Sequence, residues 1–319
     1  MEKVKVVQIG IKGFGQYVAG IVQRCRNIEL VGIYDINKNY IASASKDLNV
    51  MPFNSLEDAL SCECDGVILE VPNSAHAELV KSAAMARKHV FVEKPITNSI
   101  EDAQEIIRLC KEQGVLLQVG HSRRFMGKYH KVKELIEGNT IGRVVMIEAN
   151  YSSQRAKRHS KDVWRYSRTT CPGGPMLQLG IHAVDTIYYL TGCRPLIIKG
   201  LFADGFTTTQ NEDAGGVIMK MENDIIAYVG SSYVSPLTES MVIYGDDGRI
   251  DIRFDTVLLN KDGKDEIVDI EEESEDASYI RQFESFADSI IHQRKPEVDG
   301  EIGLQNLEVV LNALKSGGI

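Results

Sequence analysis

From Lys3 to about Gly120, short apolar runs alternate with stretches in which apolar residues recur every three or four positions. Val4–Ile9, Glu29–Tyr34, Gly66–Glu70, His89–Val92 and Leu116–Val119 read as buried strands. Gln16–Cys25, Leu56–Leu60, Ala75–Ala86 and Ile100–Gln113 read as the helices between them. Strand and crossover helix in alternation produce a parallel sheet with helices on its faces. Beyond Arg123 the period changes to two. Ile141–Ser153, Leu196–Phe202, Gly215–Met221, Ile225–Tyr233, Ser240–Tyr244 and Arg249–Phe254 form longer strands, joined by turns such as Glu222-Asn223-Asp224 and Asp246-Asp247-Gly248. Two closing helices are expected over Tyr279–His292 and Ile302–Lys315. The chain is thus expected to be α/β: a doubly wound Rossmann domain over residues 1–120, then an α+β domain over 121–319 with a large, open, mostly antiparallel sheet.

Composition narrows the class without naming it. With 319 residues, 43% apolar and 25% charged, the chain is of ordinary globular make-up and long enough for two domains. A net charge of −9 argues against general binding to nucleic acid or acidic membranes. Six cysteines at 25, 62, 64, 110, 171 and 193 match neither a disulfide framework nor a zinc site, and no metal is expected. The first residues run straight into a strand, and no apolar run is long enough to span a bilayer. A cytoplasmic enzyme is the expected setting. The stretch from Asp265 to Asp276 carries eight carboxylates in twelve residues and reads as a solvated edge.

Candidate chemistry sits at the strand ends. Gly10-Ile11-Lys12-Gly13-Phe14-Gly15 follows one strand and opens a helix, the setting in which glycines bring backbone N–H groups against a pyrophosphate. Lys12 stands where a glycine is usual, so either Gly13 supplies the close approach or the lysine adds charge near a phosphate. Asp35 ends the second strand and is placed to accept from ribose hydroxyls, which favours NAD, although Lys12 or Lys38 leaves NADP open. Pro72 and Asn73 shape the turn after the third strand; His76 is either a cofactor contact or an ordinary helix-start residue. Glu93-Lys94-Pro95 puts a lysine at the carboxyl end of a buried strand, where an open parallel sheet meets its ligand. Glu93 is expected near the nicotinamide ribose, and a cis bond before Pro95 is one option.

In the second half, Gly173 and Gly174 precede a helix expected to run to Thr191. On it Gln178, His182, Asp185 and Tyr189 share one polar stripe. Positive charge gathers at Arg123, Arg124, Arg155, Lys157, Arg158, His159, Lys161, Arg165 and Arg168, which suits either a carboxylate- or phosphate-bearing substrate or a solvated loop. Trp164 is a candidate stacking surface for a sugar ring.

These motifs, in this order and at this spacing over nearly the whole chain, resemble the Gfo/Idh/MocA oxidoreductases. The resemblance rests on the glycine loop, Asp35, VPNSAH from Val71, EKP from Glu93, GHSRRF from Gly120, GGPMLQLGIHAVD from Gly173, IYGDDG from Ile243 and GEIGLQNLEVVLNAL from Gly300. It implies hydride transfer between NAD(P) and the hydroxyl or keto carbon of a sugar, cyclitol or sugar derivative. Lys94 and His182 would be the catalytic pair, converging from the two halves beside the cofactor. It also implies a homodimer or homotetramer built through the second sheet. Arg123, Trp164, Arg165, Gln178, His182 and Asp185 would line the substrate. One residue departs from the pattern: Gln178 stands where the family often carries an aspartate, and a glutamine cannot take a proton. Two other functions remain open, a glycosidase working by transient oxidation on tightly held NAD and a non-catalytic cofactor-binding sensor.

Overall fold

The computed structural model describes residues 3–158 and 163–318. Their contacts divide the chain into two compact units, Met1–Ser122 with Glu275–Gln305, and Arg123–Ser274 with Asn306–Ile319. The sequence suggested one division near residue 120. The structure keeps that boundary but returns a late segment to the first unit. The reason is local: Ala277–Ile291 is a strongly amphipathic helix whose apolar face, Phe283, Phe286 and Ala287, is wholly buried in the first unit's core.

The first unit holds strands β1 (Val4–Ile9), β2 (Ile28–Tyr34), β3 (Met51–Pro52), β4 (Gly66–Leu69), β5 (His89–Glu93) and β6 (Leu117–Gly120). Helices α1 (Phe14–Val22), α2 (Lys38–Leu48), α3 (Leu56–Ser61), α4 (His76–Met85) and α5 (Ile100–Gln113) cross between them. The strands are all parallel, in the order β3-β2-β1-β4-β5-β6. The order reverses between β1 and β4, and there the carboxyl ends of the strands open a ligand crevice. Phe91 of β5 packs its ring against Phe283 and Phe286, with centroids 4.6 and 5.9 Å apart. Ser55 and Ser99 cap α3 and α5 by accepting from Asp58 N and Asp102 N. The sequence pattern missed α2, whose sparse apolar positions leave only Ile41 and Ala44 buried.

The second unit opens with α6 (Gly127–Glu137), also absent from the sequence reading, followed by β7 (Val144–Ser152), α7 (Ile181–Thr191), β8 (Pro195–Ala203), β9 (Ala214–Met221) and β10 (Ile226–Ser232). Then come β11 (Thr238–Gly245), β12 (Arg249–Arg253), β13 (Thr256–Lys261) and β14 (Lys264–Ile267). The last two helices in the chain are α8 (Ala277–Ile291), in the first unit, and α9 (Gly300–Ser316), whose residues from Asn306 onward belong to the second. The sheet runs β14-β13-β12-β11-β7-β10-β9-β8 and is antiparallel throughout except for β10 beside β7. One face buries Ile147, Ala149, Val217, Met219, Val229 and Ile243. The opposite face leaves Ile197, Leu201, Ile218 and Tyr228 exposed. Part of the acidic run pairs as β14, an exposed edge strand, in keeping with the expected solvated edge. No helix among the described residues is long and apolar enough to cross a membrane.

Truncating Phe283 to alanine should cost about 3–5 kcal/mol, the usual penalty for emptying a packed aromatic site. Chemical denaturation of the purified chain reads this directly, and a change below about 1 kcal/mol would mean that α8 is not part of the first unit's core.

Candidate active site

In the first unit the site begins where β1 stops. Gly10 has φ +90°, and a Cβ there would stand 2.2 Å from the carbonyl oxygen of Glu70. Gly15 is equally constrained, since its Cβ would stand 2.4 Å from the Gly10 oxygen. Gly13, at φ +58°, begins α1, and no side chain caps that helix. The result is a bare backbone turn before a helix N-terminus, the arrangement that takes a pyrophosphate. Beneath it lies Gln8, a fully buried amide in an apolar strand. Its Nε2 donates to the carbonyls of Gly10 and Gly15, at 3.0 and 2.6 Å, and so holds the turn's shape.

Asp35 anchors the same turn from β2. One carboxylate oxygen accepts from Ile11 N at 2.9 Å and the other from Asn37 N at 2.8 Å. Each oxygen keeps a second lone pair, so the residue can fix the loop and still accept from a ribose hydroxyl. Lys12 does not fold back under the turn. Its amine lies 5.4 Å from the Tyr40 ring centroid, over the start of α2. Phe14 contributes its backbone to the start of α1, while its ring joins Tyr17 and Tyr279 in an exposed aromatic group.

After β4, Pro72 leads into a single tight turn over Asn73–Ala75. Asn73 is buried, and its Nδ2 has no hydrogen-bond partner among the described residues. His76 is fully buried, its Nδ1 and Nε2 lying 2.8 and 3.1 Å from the carbonyl oxygens of Pro95 and Val71. Burial pushes its pKa down. Of the two readings left open for His76, the structure supports a strut joining the turns after β4 and β5, because both ring nitrogens already face the backbone. The Lys94–Pro95 bond is cis, and Glu93 Oε2 accepts from Lys94 N at 3.1 Å. Gly120, beside Glu93 on β6, has no Cβ to crowd the Glu93 carboxyl.

The second unit presents its own polar group. Met176–Gly180 is a single π-helical turn that widens the entry to α7. It is possible because Gly180 lacks a Cβ, which would meet Met176 Sδ at 2.3 Å and Ser231 at 3.3 Å. Wide turns of this kind cluster at functional sites. The turn breaks the regular stripe expected from the sequence: Gln178 lies in the π turn and His182 in the first turn of α7. Gln178 is buried, and its Oε1 accepts from Arg165 Nε at 3.4 Å. Arg165 in turn lies over the Trp164 ring, 4.0 Å from its centroid. His182 is half-buried, and its carbonyl accepts from the Thr186 hydroxyl at 2.8 Å.

Two expected substrate residues are reassigned. Asp185 is fully buried, receives Arg124 Nε and Nη2 at 2.8–3.0 Å, and accepts from Asn306 Nδ2 at 2.7 Å. A carboxylate so enclosed secures α7 to its neighbours. Arg123 pairs through both terminal nitrogens with Glu239, at 3.0 and 2.6 Å, and lies over Tyr151. Its charge is met within the protein. The same holds for Arg168, 2.5 Å from Glu212. His159 and Lys161 lie outside the described residues, as do the side chains of Lys157 and Arg158. Sequence reasoning passed over Gln8 and Glu70. Each left a signal: Gln8 is a polar residue in the apolar stretch of β1 from Val6 to Ile9, and Glu70 directly follows the apolar β4.

Residues 4–121 match the model of the oxidoreductase family with an NAD-binding Rossmann fold, and residues 129–251 match the GFO/IDH/MocA C-terminal domain. The chain belongs to the GFO/IDH/MocA oxidoreductases. It is 26% identical to myo-inositol 2-dehydrogenase of Thermotoga maritima, over 97% of this chain and 96% of that protein. It is 29% identical to glucose-6-phosphate 3-dehydrogenase of Bacillus subtilis over 58% of this chain, a match spanning about half of that enzyme (53%). A Desulfitobacterium hafniense protein described as an NADPH-dependent oxidoreductase superposes with a TM-score of 0.94 at 30% identity, over 100% of this chain and 96% of that one. The first unit is therefore an NAD-binding Rossmann domain, and its bare glycine turn and the buried Asn73 amide fit such a ligand.

Replacing Asp185 by asparagine should lower stability by about 3–5 kcal/mol in the absence of any ligand, because it leaves the Arg124 guanidinium buried without its counter-charge. An unchanged denaturation midpoint would return Asp185 to the list of substrate contacts.

Proposed function

We propose that this oxidoreductase moves hydride between NAD and a hydroxyl-bearing carbon of a sugar, cyclitol or acidic sugar derivative, with NADP as a second acceptor. The observation that carries this reading is Lys94, one residue beyond the end of β5 in the unit that holds the dinucleotide turn. Lys94 hydrogen-bonds the carbinol oxygen and His182 removes its proton, while the bound nicotinamide supplies the hydride acceptor. Gln178 replaces an acid, so it can orient a hydroxyl but leaves proton transfer to the other two. Trp164 and Arg165 are assigned to the sugar face and to an acidic substituent. The relatives' names support a polyhydroxylated substrate, and the phosphorylated sugar in one of those names supports an anionic one.

Incubation with NAD or NADP and a panel of polyols, sugar acids, sugar phosphates and nucleotide sugars tests the reading. Reduced cofactor together with a product two mass units lighter supports it. Free sugar without reduced cofactor points instead to a glycosidase cycle, and tight cofactor binding with no turnover points to a sensor. His182→Ala should lower turnover by about 10²-fold or more and remove the limb of the pH–rate profile that reports the base. An unchanged profile would refute the assignment.

We also infer that copies of this chain associate through the outer face of the second sheet. Its exposed apolar residues on β8, β9 and β10 form a surface that a matching sheet would cover. Light scattering should show a dimer or tetramer, with Leu201→Asp shifting it to smaller species. A monomeric native protein would end the proposal.

A further inference from the structure

Asp35, at the end of β2, marks the adenosine side of the dinucleotide site. The other end of the cofactor is therefore directed over the carboxyl ends of β4 and β5. Two carboxyl-bearing residues stand at the ends of these neighbouring strands, Glu70 just after Leu69 and Glu93 just after Val92. β4 and β5 are paired in parallel up to Leu69 opposite Val92, so Glu70 and Glu93 each follow the last paired residue of neighbouring strands. Glu70 is pinned by its backbone: its N–H donates to the Ile9 carbonyl at 2.8 Å, and its own carbonyl crowds Gly10. Its Oε1 is buried without a hydrogen-bond partner among the described residues, as is the Asn73 amide three residues on. Two orphaned polar groups on one strand-to-helix turn, beside a backbone cradle for pyrophosphate, mark a place that a polar ligand completes.

We propose that Glu70 and Glu93 hold one proton between them at the nicotinamide end of the cofactor site, releasing it when the oxidised cofactor binds and keeping it when the reduced form binds. Two neighbouring carboxyls that act on each other through their charges, one of them buried, cannot both ionise at low cost. Burial pushes the Glu70 carboxyl well above the usual carboxylate range, and the charge of Glu93 pushes it the same way, against the opposing pull of Lys94. The oxidised nicotinamide ring is a cation and the reduced ring is neutral, so only the first gains from a second negative charge below it. The exchange balances: the carboxyl O–H breaks, its proton goes to solvent, and the carboxylate stays opposite the cationic ring.

Few other charges enter this account. β1 contributes the uncharged Gln8, and α1 has no charged residue from Phe14 to Val22. From α4, His76 is held toward its neutral form by burial, while Glu78 and Lys81 pair with each other 3.0 Å apart at the surface. His121 follows β6 and is buried, and Lys12 is directed to Tyr40.

The inference rests on dinucleotide binding alone. It is read without substrate, so an error in the proposed substrate class leaves the measurement intact. Calorimetric titration of the full chain with NAD⁺ and with NADH, in buffers of different ionisation enthalpy, counts the protons exchanged. The expected result is release approaching one proton with NAD⁺, close to none with NADH, and loss of the difference in Glu70→Gln. Independently of any variant, the pair's deprotonation makes NAD⁺ affinity rise with pH. The ratio Kd(NADH)/Kd(NAD⁺) of the native protein should then climb by up to about tenfold per pH unit somewhere between about pH 6 and 9, where buried carboxyls titrate. A flat ratio, equal proton release with both cofactors, or NAD⁺-linked release retained in Glu70→Gln would each overturn it.

Discussion

The contact between the end of β1 and the end of β4 governs the first unit. Where Gly10 passes the Glu70 carbonyl there is no room for a β-carbon, and Gly15 is pressed against Gly10 in the same way. With glycine at both crowded positions and at the N-cap, α1 starts with no side-chain cap. Asp35 and Gln8 then hold the loop from the side and from below. A single steric limit thus produces the anion-binding backbone, fixes the start of the first helix and brings the adenosine-side carboxylate into the same group.

The second unit depends on a different device, a buried charge pair. Asp185 and Arg124 are enclosed together and satisfied by three short contacts, with Asn306 completing the carboxylate. Removing two charges from water is costly, and only dense hydrogen bonding offsets it. The return is a defined position for α7, and with it for His182 three residues earlier on the same helix. The π turn before α7 adds a second constraint, setting Gln178 toward Arg165.

Most of the first unit was legible because its strands are continuous apolar runs and its helices carry serine caps and a 3.6-residue period. Val4–Ile9 and Ile100–Gln113 were read to the residue. α2 was lost for lack of an apolar stripe; β13, with only Val257, Leu258 and Leu259 apolar, was passed over, while the acidic run that follows was read as a solvated edge. Sequence spacing offered candidates for the site but not their partners within the fold. Arg123 and Asp185 were read as ligand groups since their types suit that work. Their neutralisation by Glu239 and Arg124 depends on residues 116 and 61 positions away, which no local pattern reveals. The π turn was equally hidden, since Gly180, crowded by Met176 four residues before it and by Ser231 from a distant strand, reads in sequence as an ordinary glycine.

The late return of residues 275–305 to the first unit also orders events during synthesis. Phe91 leaves the ribosome nearly two hundred residues before Phe283 and Phe286. Until those rings arrive, the core that Phe91 shares with α1 and α2 lacks its third helix, and it stays incomplete while Arg123–Ser274 are translated. The cofactor-binding domain is therefore completed only after most of the second unit has been made.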